Sequence, residues 1–320
     1  MTKRWGLNRS SFVVEIASND GYLLQYFNEK KIPVLGIEPT ANTAEVAIEK
    51  GIPTEVAFFG TATAQRLSSD IGKADLLLGN NVLAHVPDLN DFVKGMKIML
   101  AENGVLTMEF PHLMQLISQN QFDTIYHEHF SYFSLTAINQ IFAQHGITLF
   151  DVQTLPTHGG SIRIFGRHTE DVTKSITTAI RDLLQQEKEA GMTSLAYYQQ
   201  FEEQVKETKR ALLTFLIEQK RAGKTIVGYG APGKGNTLLN YCGIRTDFID
   251  YTVDRNPHKQ GNYLPGTRIP IYHPDKIAET KPDFVLILPW NLKQEISNQM
   301  AFIKDWGGQM VVPIPTVEIL

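Results

Sequence analysis

Apolar runs alternate with amphipathic stretches along the first half of the chain. The runs predict strands at residues 12–17, 34–39, 74–78 and 105–110. Between them, periodic apolar positions predict a helix that begins at Tyr22 and further helices at residues 43–50 and 91–100. Because strands that alternate with helices usually form parallel sheets, the pattern indicates a doubly wound, Rossmann-like α/β domain.

From residue 175 to about residue 221 the pattern changes to helical spacing, with a break at Gly191. Apolar side chains recur at steps of three or four residues, or multiples of these: Leu195, Tyr198, Phe201, Val205, Leu212 and Phe215. Such a stripe is typical of a helix that packs on a core, here an arm that joins two domains. A coiled coil that binds a partner is the alternative.

A second alternating segment begins at Gly223. It predicts strands at residues 225–229, 248–254, 283–288 and 310–314, a glycine loop at 230–235, and helices at 236–242 and 292–303. We therefore expect an α/β domain at residues 1–168, a helical linker at 169–222, and a second Rossmann-like domain at 223–320.

Composition supports two packed cores. The chain has 320 residues, of which 42% are hydrophobic and 20% charged. A formal charge of -4 argues against nucleic acid as the main partner, since binding to phosphate backbones usually needs a basic surface. Neither a membrane span nor a secretory segment is expected. Cys242 is the single cysteine, which excludes an internal disulfide and fits a cytoplasmic location.

A turn with one glycine follows the first predicted strand, at residues 15–21. Ligands of open α/β sheets bind beyond the carboxyl ends of the strands, so this turn is expected to face a cofactor. Its acidic residues Glu15 and Asp20 would repel a pyrophosphate and attract a cationic cofactor. Glu38 ends the second strand, where a carboxylate can accept both hydroxyls of a ribose. The alternative is structural, with Asp20 as a helix cap and Glu38 as a solvated strand end.

These segments resemble the cofactor motifs of class I methyltransferases. Residues 15–21 and 36–39 are similar to motif I and the ribose-binding acid, and residues 80–88 are similar to a later strand-end motif. The resemblance implies that S-adenosylmethionine is the cofactor. The residues it implies for cofactor binding are Glu15, Ser18, Asn19, Asp20, Gly21, Glu38, Pro39, Asn80 and Asn81.

Residues 126–130, Tyr-His-Glu-His-Phe, are the densest group of chemically active side chains. On a strand, Tyr126 and Glu128 would share one face and the two histidines the other; on a helix, Tyr126 and His129 would lie together. Acid–base catalysis suits the group, because neutral histidine abstracts protons near pH 7 and a tyrosine or carboxylate can orient it. His127 and His129 supply only two ligands, so no metal is expected. Polar residues on a loop are the other alternative.

A longer stretch closely resembles the family of nucleotide-sugar C-3′ methyltransferases of deoxysugar biosynthesis. The similarity includes residues 122–134, 155–163, 228–240 and 253–257, and it covers essentially the whole chain. It implies His129 as general base, with Tyr126 and Glu128 beside it, and His85 as a second active-site histidine. Substrate contacts are implied for His158, Gly159, Gly160 and Arg163.

The resemblance departs from the family at the front of the chain. Family members carry a cysteine-rich zinc-binding domain before the methyltransferase fold, whereas this sequence begins close to motif I. A truncated chain or a short variant is the expectation from that difference. Zinc and the substrate contacts of such a domain are accordingly left out of the predicted site.

A second glycine loop follows the strand at 225–229. Gly228, Gly230 and Gly233 match the dinucleotide fingerprint, and the loop almost matches a phosphate loop, although Gly235 replaces the hydroxyl residue that would hold magnesium. Both motifs share backbone N–H groups, a helix N-terminus and a lysine, which together bind an anion. Taken with the resemblance, this predicts that the substrate's pyrophosphate contacts Gly230, Lys234 and Asn236. Glycine-rich packing without a ligand is the alternative.

The expected function is methyl transfer from S-adenosylmethionine to carbon on a nucleotide-linked keto-deoxysugar, which is also the expected partner. The ketone acidifies the neighbouring hydrogen, His129 removes it, and the enolate carbon attacks the methyl group. Two alternatives stay open. One is an NAD(P)-dependent oxidoreductase that uses the loop from Gly228 to Gly233, and the other is a nucleotide-sugar-binding protein without catalysis.

Overall fold

The structure, a computed structural model, describes residues 1–320, which form two units. The first unit consists of Met1–Met114 and Glu128–Gly191, and the second of Gln115–His127 and Met192–Leu320. None of the helices combines the length and the apolar character that a membrane span requires.

The first unit contains a seven-stranded sheet. Its strands are β1 Val13–Ile16, β2 Val34–Ile37, β3 Thr54–Glu55, β4 Ala74–Asn80, β5 Leu100–Pro111, β6 Ile147–Leu155 and β7 Ser161–His168. Their order is β3-β2-β1-β4-β5-β7-β6. β1 to β5 pair in parallel, and β7 is antiparallel to both β5 and β6. The order reverses between β1 and β4, and open sheets bind ligands in the crevice at such a point.

Six α-helices lie between these strands along the chain, and a seventh follows β7. They are α1 Gln25–Asn28, α2 Ala41–Glu49, α3 Thr61–Asp70, α4 Leu89–Met99, α5 Leu113–Ser118, α6 Leu135–Gln144 and α7 Thr178–Glu189. Asp88 caps α4 by accepting the N–H of Asp91, and Ser134 caps α6 by accepting that of Ala137. Short 3-10 helices cover Leu83–His85, Phe122–Thr124 and Thr157–Gly159.

The second unit has a six-stranded sheet of its own. Its elements are α8 Leu195–Arg221, β8 Ile226–Tyr229, α9 Gly233–Cys242, β9 Thr252–Val253, β10 Ile271–Tyr272, α10 Lys276–Thr280, β11 Phe284–Ile287, α11 Lys293–Gln299, β12 Gln309–Val312 and β13 Glu318–Ile319. The order is β10-β9-β8-β11-β12-β13, and β13 alone is antiparallel to its neighbour. Here the order reverses between β8 and β11.

Each unit has its own hydrophobic core. In the first unit, Leu77 belongs to a cluster on one face of the sheet, whereas Leu76 and Leu78 belong to a cluster on the other, as the two-residue period of a strand requires. The core of the second unit includes Val227 and Leu286 from neighbouring strands. Two Rossmann-like α/β sheets confirm the expected fold class.

Several elements differ from the sequence-based expectation. The apolar runs do not predict β6 and β7, the antiparallel edge of the first sheet, because β7 joins the sheet through a long-range pairing with β5 and β6 joins it only through β7. The strand predicted at 248–254 is only β9, since the N–H of Phe248 turns back to the carbonyl of Arg245. The helix predicted at 292–303 is α11 followed by a 3-10 helix at Ala301–Trp306. Residues 126–130 form a turn, neither strand nor helix.

Candidate functional site

The turn after β1 has a left-handed backbone at three alternate positions. φ is 56° at Ala17, 55° at Asn19 and 75° at Gly21. A left-handed conformation costs a non-glycine residue roughly 1–2 kcal/mol. Such strain concentrates at ligand sites, where the surrounding structure enforces it. The sequence of this turn contains only one glycine, but three of its residues have a left-handed backbone. Two of these, Ala17 and Asn19, are not glycine.

Glu38 is held rigidly just beyond the end of β2. Its Oε2 accepts the N–H of Asn19 at 3.1 Å and its Oε1 accepts the N–H of Thr40 at 2.9 Å. The residue is 7% exposed. A carboxylate has about four acceptor positions, so each oxygen keeps one for a further donor such as a ribose hydroxyl.

A cavity of about 290 Å³ lies beside this carboxylate, at the carboxyl ends of β1, β2 and β4. Much of its wall is apolar, and includes Ile16, Ile37, Phe58, Phe59, Val82 and Phe92. Four predicted site residues also line it: Glu38, Pro39, Asn81 and His85. Apolar walls with a few fixed polar groups are typical of a cofactor site, and these dimensions suit an adenosine group.

Glu15 is a buried acid on the first strand. It is 1% exposed, burial raises its pKa to about 8, and its Oε2 has no hydrogen-bond partner. Burial also raises the pKa of Tyr22, and the charge of Glu15 raises it further, whereas a hydrogen bond with Asn80 lowers it. A buried carboxyl oxygen without a partner at this strand end fits a cationic group. Together with Glu38 and the apolar cavity, it matches the methionine, ribose and adenine parts of S-adenosylmethionine.

Two other predicted cofactor residues direct their side chains elsewhere. Ser18 is fully buried, and its Oγ lies against Gly36, where an added Cβ would come within 2.3 Å. Asp20 forms an ion pair with Lys50, and the hydrogen bond from Lys50 lowers the pKa of Asp20. The backbone groups of both residues are also engaged within the protein, since the N–H of Ser18 donates to the carbonyl of Ile37 and the N–H of Asp20 donates to Oδ1 of Asn19.

His85 and His129 lie together although they are distant in sequence. Their ring centroids are 4.8 Å apart at an interplanar angle of 75°, and the ring of Tyr132 lies 5.6 Å from that of His129. The N–H of Phe130 donates to the carbonyl of Ala84 at 2.8 Å, which fixes the segment after His129 against the 3-10 helix that carries His85. Because His85 lines the cavity and His129 contacts His85, one side chain separates His129 from the cavity.

Tyr126 and Glu128, the remaining members of the predicted catalytic group, differ in solvent exposure and in the unit to which they belong. Glu128 is exposed on the turn, and Tyr126 is partly buried. Tyr126 belongs to the second unit, whereas Glu128 and His129 belong to the first. The turn conformation explains why neither the strand nor the helix alternative describes this group.

A polar network surrounds Glu109 that the sequence motifs did not predict. This residue is 6% exposed near the end of β5; its Oε1 accepts the hydroxyl of Thr157 at 2.9 Å, and its Oε2 pairs with the guanidinium of Arg163. The predicted substrate contact Arg163 is therefore already neutralised by a carboxylate. The sequence did contain a signal, because Glu109 is the single charged residue in the mainly apolar run at residues 105–110 and a buried charge needs a partner.

The predicted substrate loop at residues 158–160 adjoins this network. His158, Gly159 and Gly160 have φ of 54°, 88° and 120°. His158 Nε2 lies 3.1 Å from Nδ2 of Asn81, which lines the cavity. The loop and the cavity wall are thus joined by a hydrogen bond.

In the second unit, the loop after β8 lies at the point where the strand order reverses. A Cβ on Gly230 would come within 2.6 Å of Pro289. The ammonium of Lys234 bonds to Oδ1 of Asn291 and lies 4.6 Å from the centre of the Trp290 ring, and burial lowers its pKa. The predicted contact Asn236 follows on α9 and bonds with Asn240.

Two acids also contact this loop region. Asp254 accepts the N–H of Ala231 at 2.8 Å, so part of the predicted anion site already has an internal acceptor. Asp123 is fully buried and accepts the indole N–H of Trp290 at 2.7 Å; burial raises its pKa to about 7. Asp123 was not predicted, because nothing local marks a residue that meets Trp290 from a distant part of the chain.

Comparisons with known proteins identify the family of the chain. Residues 2–152 match a family described as a methyltransferase domain, and residues 156–315 match the C-methyltransferase C-terminal domain. C-methyltransferase NovU from Streptomyces niveus is 37% identical over 322 residues, which cover 99% of this chain and 76% of that protein.

Two solved structures show weaker similarity. A methyltransferase from Anabaena variabilis that depends on S-adenosylmethionine is 14% identical, with a TM-score of 0.43, over 52% of this chain and 82% of its own. Magnesium protoporphyrin IX methyltransferase from Synechocystis, with bound S-adenosylmethionine, is 13% identical, with a TM-score of 0.39, over 52% of this chain and 73% of its own.

The match to NovU extends over nearly the whole chain, and the two family matches together cover both units. The cavity beside Glu38 and the orphaned carboxyl oxygen of Glu15 suit the methyl donor of such enzymes. The chain therefore belongs to the C-methyltransferase family, and its methyl donor is S-adenosylmethionine.

Proposed function

We propose that this methyltransferase acts on a nucleotide-linked keto-deoxysugar and that His129 is its general base. The observation that supports this most directly is the 4.8 Å ring contact between His129 and His85, because His85 lines the cavity beside Glu38. A side chain one contact away from the cofactor cavity is well placed to serve a substrate carbon beside the methyl group.

Methylation of carbon needs a base more than methylation of oxygen does. A carbon becomes a nucleophile only when a proton has been removed from it, and a ketone makes the adjacent hydrogen acidic enough for histidine. Imidazole titrates near neutral pH, so it accepts a proton without strong tuning. When bound, S-adenosylmethionine supplies an electrophilic methyl group. His129 then retains the proton from carbon while the new carbon–carbon bond forms.

We infer that different parts of the chain bind the cofactor and the nucleotide part of the substrate. In this proposal residues 1–168 hold S-adenosylmethionine, residues 169–222 link the two parts, and residues 223–320 bind the nucleotide part of the sugar. The compact units differ from these bounds, because residues 115–127 belong to the second unit and the proposed linker is divided, with α7 in the first unit and α8 in the second. Gly230 in the loop before α9, together with Lys234 and Asn236 in the first turn of α9, supports the last assignment, because a helix N-terminus with glycine backbone and a lysine suits an anion. The similarity of residues 122–134 and 155–163 to sugar methyltransferases supports a deoxysugar as the acceptor.

The test is the His129→Asn variant with a thymidine-diphosphate-linked 4-keto-6-deoxyhexose. Methylated product is measured by mass spectrometry, and exchange of the hydrogen next to the ketone is followed in deuterated water. We expect a loss of roughly 10²–10⁴-fold in methylation, typical of removing a general base, and loss of exchange. Affinity for S-adenosylmethionine, measured by calorimetry, should not change.

His127→Asn is the matched control, since His127 is exposed on the same turn two residues earlier. It should methylate like the wild type. Full methylation and normal solvent exchange by His129→Asn would remove His129 as the base, and His85 would become the next candidate.

A further inference from the structure

Asn81 and His158 are both non-glycine residues in a left-handed conformation, with φ of 53° and 54°, and their side chains bond to each other. Asparagine and histidine tolerate this conformation better than most residues, yet it is uncommon for both. Strained backbone persists where neighbouring contacts enforce it, and it concentrates at functional sites. This pair lies at the wall of the cofactor cavity, to which Asn81 contributes.

Glu109 supplies the contacts that enforce both conformations. Its carbonyl accepts the N–H of Asn81 at 2.8 Å, and its carboxylate accepts the hydroxyl of Thr157 at 2.9 Å. The carbonyl of Thr157 in turn accepts the N–H of Gly160 at 2.9 Å and closes the loop around His158. His158 is thus held from both sides, although its side chain is exposed.

The bond to Asn81 selects one tautomer of His158. With the amide Nδ2 of Asn81 as donor, Nε2 of His158 is the acceptor, at 3.1 Å. A neutral imidazole that accepts at Nε2 carries its proton on Nδ1. His158 therefore has one N–H group available for another molecule, and it needs no protonation to donate it.

Two imidazoles flank the same cavity wall. Asn81 and His85 both line the cavity, with the 3-10 helix Leu83–His85 beginning just after Asn81. His129 contacts His85, and His158 contacts Asn81. Enolate formation requires two groups, a base for the proton on carbon and a donor for the charge that develops on oxygen. The two histidines correspond to these two requirements.

We propose that His158 donates a hydrogen bond from Nδ1 to the ketone oxygen of the substrate and stabilises the enolate; this rests on the proposed function. The carbon–hydrogen bond breaks, its proton goes to His129, its electron pair forms the carbon–carbon double bond of the enolate, and the π pair of the carbonyl moves to the ketone oxygen. As the oxygen pair re-forms the carbonyl, the pair of the carbon–carbon double bond attacks the methyl group, and the bond from methyl to sulfur breaks to leave a neutral thioether. His158 keeps its proton throughout.

Two variants separate the donor from the backbone conformation. His158→Gly allows the left-handed conformation and removes the donor, whereas His158→Asn tolerates the same conformation and supplies an amide N–H that does not titrate. With the thymidine-diphosphate-linked 4-keto-6-deoxyhexose, His158→Gly should lose roughly 10²–10³-fold in kcat, as expected for one lost donor to an oxyanion. KM for the sugar and affinity for S-adenosylmethionine should change little.

Solvent exchange distinguishes this role from substrate binding alone. In deuterated water, His158→Gly should exchange the hydrogen next to the ketone far more slowly than the wild type, and His158→Asn should recover most of the rate. Wild-type kcat and exchange in His158→Gly, with His129→Asn inactive, would overturn the role of His158 and leave the proposed function intact. Normal exchange in His129→Asn would instead contradict the proposed function.

Discussion

Glu15 places a carboxyl group inside the first sheet with one oxygen lacking a hydrogen-bond partner. Burial raises its pKa to about 8, whereas a glutamate in an unfolded chain titrates near ~4.3. Between these two values the folded state binds more protons than the unfolded state. The free energy of unfolding therefore decreases as pH rises through this window, and the contribution is fully favourable only below it.

The variant Glu15→Gln should remove this pH dependence. Because glutamine does not ionise, the variant should gain stability relative to the wild type as pH increases from 5 to 8, by a few kcal/mol at about 1.4 kcal/mol per pKa unit. Urea unfolding at a series of pH values measures the difference. Glu49→Gln, exposed at the end of α2, is the control and should show no such trend. Parallel stability curves for wild type and Glu15→Gln would contradict the prediction.

At the scale of elements, the N-terminus of α6 shows how distant residues complete a local structure. Glu187 on α7 accepts the N–H groups of Leu135 and Thr136 and pairs with His112 at 2.7 Å. Burial raises the pKa of Glu187, but the hydrogen bonds from His112, Thr136 and Leu135 outweigh it and lower the pKa overall. The helix that follows His129 and Tyr132 is therefore anchored by a buried acid as well as by Ser134.

The glycine loop before α9 carries the element-scale prediction. Lys234→Ala should raise KM for the nucleotide sugar by about 10–100-fold, the effect of one hydrogen bond to a charged group, and leave S-adenosylmethionine affinity unchanged. The cause is loss of an ammonium that Asn291 and Trp290 hold beside the loop. Steady-state kinetics with the thymidine-diphosphate sugar measure KM.

Lys276→Ala, on the surface of the same unit, is the control for a lost positive charge and should have a normal KM. An unchanged KM in Lys234→Ala would show that Lys234 only packs against Trp290. The phosphates would then have to bind elsewhere.

At the scale of the whole molecule, the two units have hydrophobic cores that share no residue. S-adenosylmethionine at 100 times its Kd should stabilise the first unit by about 2.7 kcal/mol. For a unit of this size that raises the midpoint of thermal unfolding by roughly 5–10 °C. Calorimetry should show this rise in one transition, while thymidine diphosphate raises the other. If both ligands shift a single transition equally, the two cores unfold as one.

The alternation of apolar and polar positions predicted most of the parallel strands and the helical segment with its break at Gly191. It did so because periodicity is local and each element must bury one face, whatever its neighbours are. The antiparallel strands β6 and β7 were missed, since β7 enters the sheet by a long-range pairing with β5 and β6 enters it only by pairing with β7. The reduction of the strand at 248–254 to β9 likewise follows from a turn that hydrophobicity does not reveal.

For the site, the sequence by itself determined the places of the turn after β1 and of the acid Glu38 after β2, because both adjoin strands whose positions follow from local pattern. Tertiary structure alone decided which side chains meet: His85 with His129, His158 with Asn81, and Arg163 with Glu109. Each pair joins positions far apart in sequence whose distance is set by strand order. A motif shows which groups are present, but only the packed sheet determines the distances between them, and those distances decide the chemistry.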